Sequence, residues 1–212
     1  MFQRLTIRNF SKKYGNHEVF KNLNLNFKKD QIYTLTGPSG KGKTTFLNCL
    51  AGIETEFEGE ILLDEHSLTP KLRSKFFYPH LGFMFQDLAL WPHKTIMQNL
   101  ILASNIRHLD SEITKASAKS FLEKFELSAF VNHYPEQISG GQKQRIAFIR
   151  SIIHSPQLLL LDEPSSSLDL ANKQIMAQII AHGLKKSSII IVVSHDHEFL
   201  EMLEPELERF SF

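Results

Sequence analysis

The chain has 212 residues, of which 42% are hydrophobic and 22% are charged, ordinary values for a globular protein with one substantial core. Its formal net charge of +1 argues against a nucleic-acid partner, which usually requires a clear basic excess. No run approaches the roughly 20 apolar residues that span a bilayer, and the N-terminus has no signal-peptide stretch. We therefore expect a cytoplasmic protein that reaches any membrane through a partner, and the single cysteine, Cys49, fits a reducing compartment.

Strands are predicted for most of the first third of the chain. Leu23, Leu25 and Phe27 alternate with asparagines, which is the pattern of a strand that buries one face. Residues 60–64 follow a similar pattern. A further strand is expected over residues 31–36, where it leads into a glycine-rich loop and then a helix over residues 44–51.

The middle of the chain, from about residue 87 to residue 154, is predicted to be mainly helical. Thr95 and Gln98 have the spacing of a capping box for a helix over Ile96–Ile106. Another helix should run from near Gly140 to His154 and end before the proline at position 156.

Between these two helices, a further helix is predicted to begin after Asp110, whose carboxylate can cap it. We expect its apolar residues to lie on roughly one side and to pack against the rest of the protein. Those residues are Ile113, Ala116, Leu122 and Phe125.

The last third of the chain returns to strands that alternate with helices. Leu158–Leu161 and Ile189–Val193 are apolar at every position, as expected for central strands of a parallel sheet that helices cover on both faces. The sequence thus predicts an α/β fold: a mostly parallel sheet flanked by helices, a small N-terminal antiparallel β region and an inserted α-helical subdomain. We expect one domain over residues 1–212, with a core formed by 1–86 and 155–212 and a helical subdomain formed by 87–154.

The glycine-rich segment Gly37–Thr44 reads Gly-Pro-Ser-Gly-Lys-Gly-Lys-Thr and fits the P-loop pattern between a strand and a helix. Its backbone N–H groups and the helix N-terminus can surround phosphate oxygens. Lys43 can reach the β and γ phosphates, and the Thr44 hydroxyl can bind Mg²⁺. The expected nucleotide contacts are Gly37, Pro38, Ser39, Gly40, Lys41, Gly42, Lys43, Thr44 and Thr45.

Two carboxylates, Asp162 and Glu163, follow directly after the apolar strand at 158–161. Ligands of open α/β sheets bind at the carboxyl ends of the strands, so both side chains should lie near the nucleotide. We expect Asp162 to hold Mg²⁺ through its water shell and Glu163 to polarise the attacking water. Two solvated acids in a turn are the alternative, but a neighbouring glutamate beside a P-loop favours ATP hydrolysis over phosphoryl transfer to an acceptor.

The segment Ile138–Gln142 reads Ile-Ser-Gly-Gly-Gln and resembles the signature sequence of ATP-binding-cassette (ABC) ATPases. Further segments resemble that family in the expected order: Tyr14 at the position that stacks on adenine, Gln86 in the Q-loop, Tyr134–Gln137 before the signature, Ser166–Asp169 in the D-loop, and His195 as the switch histidine. The resemblance covers nearly the whole chain, and the ordered set is more specific than any single motif.

The resemblance implies a head-to-tail dimer, formed by two identical chains or by paired cassettes, with ATP and Mg²⁺ at each interface. In the family, the signature of one subunit covers the γ-phosphate that is bound by the other. Ser139, Gly140, Gly141 and Gln142 would therefore act in trans, and Asp169 would also contact nucleotide. His195 would contact the γ-phosphate, and Gln86 would contact the metal and the attacking water. We expect the catalytic residues to be Glu163, His195, Lys43 and Gln86.

The segment Leu88–His93, which we call the docking loop, resembles the surface on which ABC ATPases receive the coupling helix of a separate transmembrane permease. Its Leu and Trp residues suit docking, and a loop that faces the core is the alternative. Residues 89–95 also resemble importer cassettes. We therefore expect a subunit at the cytoplasmic face of the cell membrane that energises an importer.

Other members of the family perform different work. Those that repair DNA carry a long coiled coil and those that act in translation carry two cassettes in one chain, and neither feature is found in these 212 residues. A cassette that signals to a membrane partner without conventional transport remains open as an alternative.

The chain departs from the family pattern at a few positions. Lys41 replaces a small residue, Ile138 replaces a leucine, and Phe148 and Ile149 are bulkier than the usual alanines. Only residues 196–212 follow His195, so we do not expect a C-terminal sensor domain.

Overall fold

Two β-sheets and their covering helices form the structure, a computed structural model that describes residues 2–64, 66–68, 80–106, 111–184, 186, 188–203 and 207–211. The strands are β1 (Arg4–Tyr14), β2 (His17–Lys28), β3 (Gln31–Thr36), β4 (Glu58–Leu63), β5 (His66–Ser67), β6 (Leu81–Met84), β7 (Leu158–Asp162), β8 (Ile189–Val193) and β9 (Leu207–Ser211). The helices are α1 (Lys43–Ala51), α2 (Ile96–Ile106), α3 (Ser111–Lys124), α4 (Gly140–Ile152), α5 (Leu170–Gln178) and α6 (His197–Met202). Short 3₁₀ turns cover Ser128–Phe130 and Pro135–Gln137, and the π-helical segment Ile179–Leu184 follows α5.

The larger sheet is parallel and has the strand order β6-β7-β8-β3-β9. Every residue of β7 and β8 is buried, as the uninterrupted apolar runs predicted. Helices cover one face of the sheet, whereas the other face packs against α1 together with strands of the second, smaller sheet. In this register both Leu35 at the end of β3 and Asp162 at the end of β7 lie opposite Val193 of β8. The segments that follow these three strands therefore meet at one edge.

The smaller sheet is antiparallel and has the order β2-β1-β4-β5. The predicted alternation in β2 is confirmed: Leu25 and Phe27 are buried, whereas the asparagines between and before them are exposed. The α/β class, with a parallel core and a small antiparallel β region, is thus confirmed. The chain division at residues 86 and 155 stays a prediction, although α2, α3 and α4 do lie between β6 and β7 in sequence.

The predicted start of α2 is confirmed. The Thr95 N–H donates to Gln98 Oε1 at 2.9 Å, and the Gln98 N–H donates to Thr95 Oγ1 at 3.3 Å, which is the reciprocal pair of a capping box. Helix α4 ends at Ile152, two residues before the predicted end. The reason is that Ser155 takes a left-handed backbone, with φ 51°, before the proline.

The predicted buried side of α3 is wrong in part. Leu122 and Phe125 are buried, but Ile113 is 67% exposed and Ala116 is exposed. The buried stripe continues instead through Ala118 and Thr114, at a spacing of four residues, so Ile113 lies one position off the stripe and faces outward. The proposed capping residue, Asp110, lies outside the described residues.

Phe148 and Ile149 are both fully buried on α4. The Phe148 ring packs edge-to-face against Phe125, the residue directly after α3, with centroids 6.0 Å apart. The side chains that are bulkier than the family pattern therefore join α4 to α3 and fill the core between them.

Candidate functional site

The glycine-rich loop follows β3 and leads into α1, as predicted. Gly42 caps α1 with a left-handed backbone, φ 86°. A Cβ at this position would collide with the side chains of Val19 and Phe20, so the loop can lie against β2 only because residue 42 is glycine. The first N–H groups of α1 consequently face the space above the carboxyl edge of the parallel sheet.

Lys43 is only 6% exposed, and its ammonium group lies inside the curve of the loop. It donates hydrogen bonds to the carbonyl oxygens of Gly37 at 2.7 Å and Pro38 at 2.9 Å. These two carbonyls fix the ammonium inside the loop. Lys41, by contrast, is exposed and points to solvent.

Asp162 ends β7 beside the loop and is 1% exposed. Burial raises the pKa of its carboxyl group, while the nearby Thr44 hydroxyl and the Lys43 ammonium lower it and Glu163 raises it further. The Thr44 hydroxyl is near, yet neither carboxylate oxygen makes a hydrogen bond of normal geometry to any described residue. Two buried acceptor oxygens without a donor are suited to a cation and its water ligands.

Glu163 has a left-handed backbone, φ 50°, and its N–H donates to Val193 O at 2.8 Å. This conformation turns its side chain across the end of β8. There Glu163 Oε2 accepts hydrogen bonds from the His195 N–H at 3.3 Å and from Ser194 Oγ at 3.4 Å. His195 Nε2 lies 3.7 Å from Glu163 Oε1, so the predicted base and the predicted switch histidine are neighbours.

An open cavity of about 330 Å³ lies between the loop and the strand ends. The predicted site residues that line it are Ser39, Gly40, Gly42, Lys43, Thr44, Thr45, Gln86, Asp162, Glu163 and His195. Gly37 and Pro38 line an adjoining space together with His195. The structure therefore brings together the phosphate, metal and water residues that were predicted to act within one chain, except the exposed Lys41.

Tyr14 is not among the described lining residues of that cavity. It ends β1, is 50% exposed, and donates its hydroxyl hydrogen to Glu54 Oε2 at 3.2 Å. Lys12 is 2% exposed; its ammonium lies 4.5 Å from the centre of the Tyr14 ring and 3.1 Å from Glu54 Oε1. The hydrogen bond from Lys12 is the main reason that the pKa of Glu54 is lowered. Tyr14 thus has a fixed position and a partly exposed ring.

The signature residues also lie outside the described lining of the phosphate cavity. Ser139 and Gln142 form a capping box at the start of α4: the Ser139 N–H donates to Gln142 Oε1 at 2.8 Å, and the Gln142 N–H donates to Ser139 Oγ at 3.3 Å. Gly140 is exposed, and a Cβ there would meet no atom within 4 Å. A Cβ on Gly141 would lie 2.8 Å from the Ser167 carbonyl oxygen. The tip of α4 is therefore packed against the D-loop segment through Gly141 and open at Gly140.

Asp169 has a local role in this chain. Its Oδ1 accepts hydrogen bonds from the Asn172 backbone N–H at 2.9 Å and from the Asn172 side chain at 2.8 Å, so it caps α5. The backbone hydrogen bond is the main reason that the pKa of Asp169 is lowered. Its expected nucleotide contact stays a prediction.

The sequence did not single out Gln144, a buried residue of α4 that connects this helix to the segment after β7. Its Nε2 donates to Glu163 O at 2.8 Å and to Ser166 Oγ at 3.1 Å, and its Oε1 accepts from the Ser167 N–H at 2.7 Å. Gln144 fixes the left-handed backbone at Glu163 and the start of the D-loop together. The signal in the sequence is weak: a polar residue among the mainly apolar positions that α4 buries.

The docking loop is exposed, as predicted from its sequence. Trp91 is 57% exposed, and Ala89, Pro92 and His93 are also exposed, while Leu88 and Leu90 pack partly against the core. A loop that is wholly directed into the core is thereby excluded.

The fold and the cavity are those of a P-loop NTPase of the α/β type. Comparison with known proteins identifies the family of P-loop NTPases to which the chain is similar. A family model described as "ABC transporter" matches residues 20–166. The probable sulfate/thiosulfate import ATP-binding protein of Chlorella vulgaris is 36% identical over 203 residues, which are 94% of this chain and 84% of that protein. The arginine transport ATP-binding protein of Bacillus subtilis is 32% identical over 92% of this chain and 82% of its own length. The spermidine/putrescine import ATP-binding protein of Roseobacter denitrificans is 37% identical over 92% of this chain and 53% of its own length.

Solved structures give the same result. The dimeric structure of MJ0796, a bacterial ABC transporter cassette, superposes with a TM-score of 0.84 at 29% identity and covers 98% of this chain and 94% of that one. The dimer of the same cassette in a post-hydrolysis state, bound to ADP and Pi, gives a TM-score of 0.81 at 30% identity, with 93% and 90% covered. The chain belongs to the family of ABC transporter ATP-binding proteins. It is an ATPase of that family, in which ATP hydrolysis is coupled to transport.

Proposed function

We propose that this chain binds and hydrolyses ATP as the motor subunit of a membrane importer, and that ATP closes two copies, or a pair of related cassettes, face to face. The observation that carries the proposal is the division of the site. The P-loop, Asp162, Glu163 and His195 meet in one cavity, whereas the Ser139–Gln142 tip lies outside it with Gly140 open to solvent. A second chain can supply the missing tip. The dimeric MJ0796 cassettes support this arrangement.

The residues that line the cavity, and those outside it that resemble the family's motifs, are assigned the following roles. The loop N–H groups and Lys43 bind the phosphates, and Tyr14 stacks on adenine. Glu163 accepts a proton from the attacking water, and its position beside His195 keeps both groups at the γ-phosphate. Ser139, Gly140 and Gly141 of the other copy close the site and exclude all water except the attacking molecule, and Asp169 borders the same interface.

Thr44, Gln86 and Asp162 would hold Mg²⁺. The described residues contain no group of three or more His, Cys, Asp or Glu side chains that could bind a metal on its own. Phosphate oxygens and water would supply the other ligands, as is usual for Mg²⁺ in nucleotide sites. The donorless buried oxygens of Asp162 fit this role through bound water. When bound, Mg²⁺ supplies positive charge that stabilises the transferring phosphoryl group.

Asp162→Asn is expected to keep ATP binding and to raise the Mg²⁺ concentration needed for half-maximal phosphate release by about 10- to 100-fold, the effect typical of losing an outer-shell carboxylate. The variant keeps the size of the side chain, removes its charge and replaces one acceptor oxygen by an amide NH₂ group. Asp30→Asn, in an exposed turn, is the control and should behave like the unmodified chain. An unchanged Mg²⁺ requirement in Asp162→Asn would remove this residue from the metal site.

No helix in the described ranges is long and apolar enough to cross a membrane. We propose that a separate permease receives the docking loop and holds the chain at the cytoplasmic face of the cell membrane. The exposed Trp91, flanked by the partly buried Leu88 and Leu90, gives the loop an apolar projection on a fixed base. The relatives named above as import ATP-binding proteins support import as the direction of transport.

Trp91→Asp is expected to weaken docking by about 30-fold, because an aromatic anchor typically contributes at least about 2 kcal/mol to an interface. The fraction of the chain that co-sediments with membranes of its own host measures this, with ATPase activity of the purified chain as the check on folding. Ile53→Asp is a matched control, since Ile53 has the same 57% exposure. Equal membrane binding by both variants would contradict the assignment of the docking loop.

A further inference from the structure

The docking loop has an unfavourable backbone. Leu88 and Ala89 are consecutive non-glycine residues with left-handed conformations, φ 63° and φ 42°. A side chain with a Cβ rarely adopts this region, and such a conformation persists only where the surrounding structure fixes it. Something must therefore hold these two peptide groups.

Arg150 of α4 holds them. Its Nη1 donates to the Ala89 carbonyl oxygen at 2.5 Å, and its Nη2 donates to the Leu88 carbonyl oxygen at 2.6 Å. One planar guanidinium thus binds two successive carbonyls with short, charge-assisted hydrogen bonds, a geometry that lysine cannot reproduce. Burial lowers the pKa of Arg150 to about 10, which Asp87 partly offsets, so the group stays charged at neutral pH.

The other end of the docking loop is fixed by Asn99 of α2. Its Oδ1 accepts from the Trp91 N–H at 2.8 Å, and its Nδ2 donates to Trp91 O at 3.1 Å and to Lys94 O at 3.0 Å. Two helices therefore hold the loop. One of them, α4, begins directly after Ser139 of the signature. Arg150 lies about 15 Å along this helix from its first residue, Gly140.

We propose that Arg150 is the positioning residue that joins the docking loop to the signature helix, so that movement of the Ser139 end of α4 carries the docking loop with it. Gln144 acts at the same helix on the catalytic side, where it binds the backbone of Glu163. Helix α4 thereby connects three places: the tip that meets the partner's nucleotide, the catalytic strand and the permease surface. The transmission half of this inference rests on the proposed function; the positioning half does not.

Amide hydrogen exchange, measured by mass spectrometry on peptides that cover residues 86–94, tests the positioning. Two loop amides have hydrogen bonds that slow exchange: Leu88 N–H donates to Phe85 O at 3.0 Å, and Trp91 N–H donates to Asn99. In Arg150→Met we expect these amides to exchange about 10- to 100-fold faster, the loss expected for hydrogen bonds from a charged group. Arg150→Lys should recover part of the protection. Lys119→Met is the control: it removes a charge from the exposed surface of α3 and should keep the full protection of the unmodified chain.

The amides of β7 and β8 distinguish positioning from general stability. They should exchange at the unmodified rate in every variant, because Arg150 acts only on the loop. Unchanged loop exchange in Arg150→Met, or equal acceleration in β8, would overturn the proposal. If Arg150→Met fails to fold, the comparison of Arg150→Lys with the unmodified chain carries the same test.

The transmission is tested in the Glu163→Gln background with ATP. There, dimer closure should slow exchange of the docking loop when Arg150 is present and leave it unchanged in Arg150→Met, although both form dimers in sedimentation. A full-sized ATP response in Arg150→Met would overturn the transmission. If Glu163→Gln alone forms no ATP-dependent dimer, the proposed function fails, while the measurement without ATP still decides the role of Arg150.

Discussion

Glu163→Gln is expected to bind ATP normally, to lose turnover by about 10²- to 10⁴-fold, and to accumulate closed dimers. The amide has the size of the carboxylate and can still accept hydrogen bonds from Ser194 and the His195 N–H, but it cannot take a proton from water. The backbone of residue 163 is held independently by Val193 and Gln144, so the loop geometry should survive. Chemistry is therefore blocked after closure.

Three measurements on Glu163→Gln check this: nucleotide binding, phosphate release and sedimentation with ATP. Glu198→Gln is the matched control, because Glu198 is an exposed carboxylate on α6 that pairs with Lys173 and does not line the cavity. Near-normal ATPase activity in Glu163→Gln would remove this residue from the catalytic role.

Gly140→Val should fold as stably as the unmodified chain and yet lose ATP-dependent dimerisation and at least about tenfold in turnover. Within one chain a Cβ at this position meets no described atom within 4 Å, so we expect the added side chain to clash with the nucleotide and loop that a second chain brings. A substitution at Gly141 could not distinguish an effect on the dimer from an effect on the single chain, because a Cβ there would push on the Ser167 carbonyl of its own chain. Thermal unfolding and phosphate release are the measurements.

A matched control for Gly140→Val is Gly183→Val, since a Cβ at Gly183 also meets no atom within 4 Å and the residue lies in the π-helical segment after α5. It should retain activity. Full turnover in Gly140→Val would mean that the signature tip does not approach the nucleotide.

Short sequence patterns correctly predicted the strands and the helix whose formation depends mainly on neighbouring residues. The P-loop context appears as predicted because β3 and α1 are each set by short-range sequence: an apolar strand, then glycines, then a helix. The apolar runs at β7 and β8 likewise predicted two strands buried on both faces. From the parallel arrangement, the meeting of Asp162 with the loop follows directly.

The sequence failed where a side chain depends on a distant partner. Gln144 binds Glu163, which is 19 residues away, and Arg150 binds Leu88, which is 62 residues away. No periodicity or motif encodes such pairs. The outward orientation of Ile113 has a similar origin, since helical spacing alone cannot decide between two adjacent stripes when tertiary packing selects Thr114 and Ala118.

Sedimentation of a mixture of two damaged chains tests the central claim most directly. Both chains carry Glu163→Gln; one also carries Lys43→Ala and cannot bind ATP, and the other also carries Gly140→Val and has no usable signature tip. Neither should dimerise alone with ATP. Mixed, they should form a heterodimer, because the intact loop of the second chain meets the intact Ser139 tip of the first. A dimer of either chain alone would contradict ATP sites that are shared between two chains. So would the lack of a heterodimer in the mixture, at concentrations where the Glu163→Gln parent dimerises.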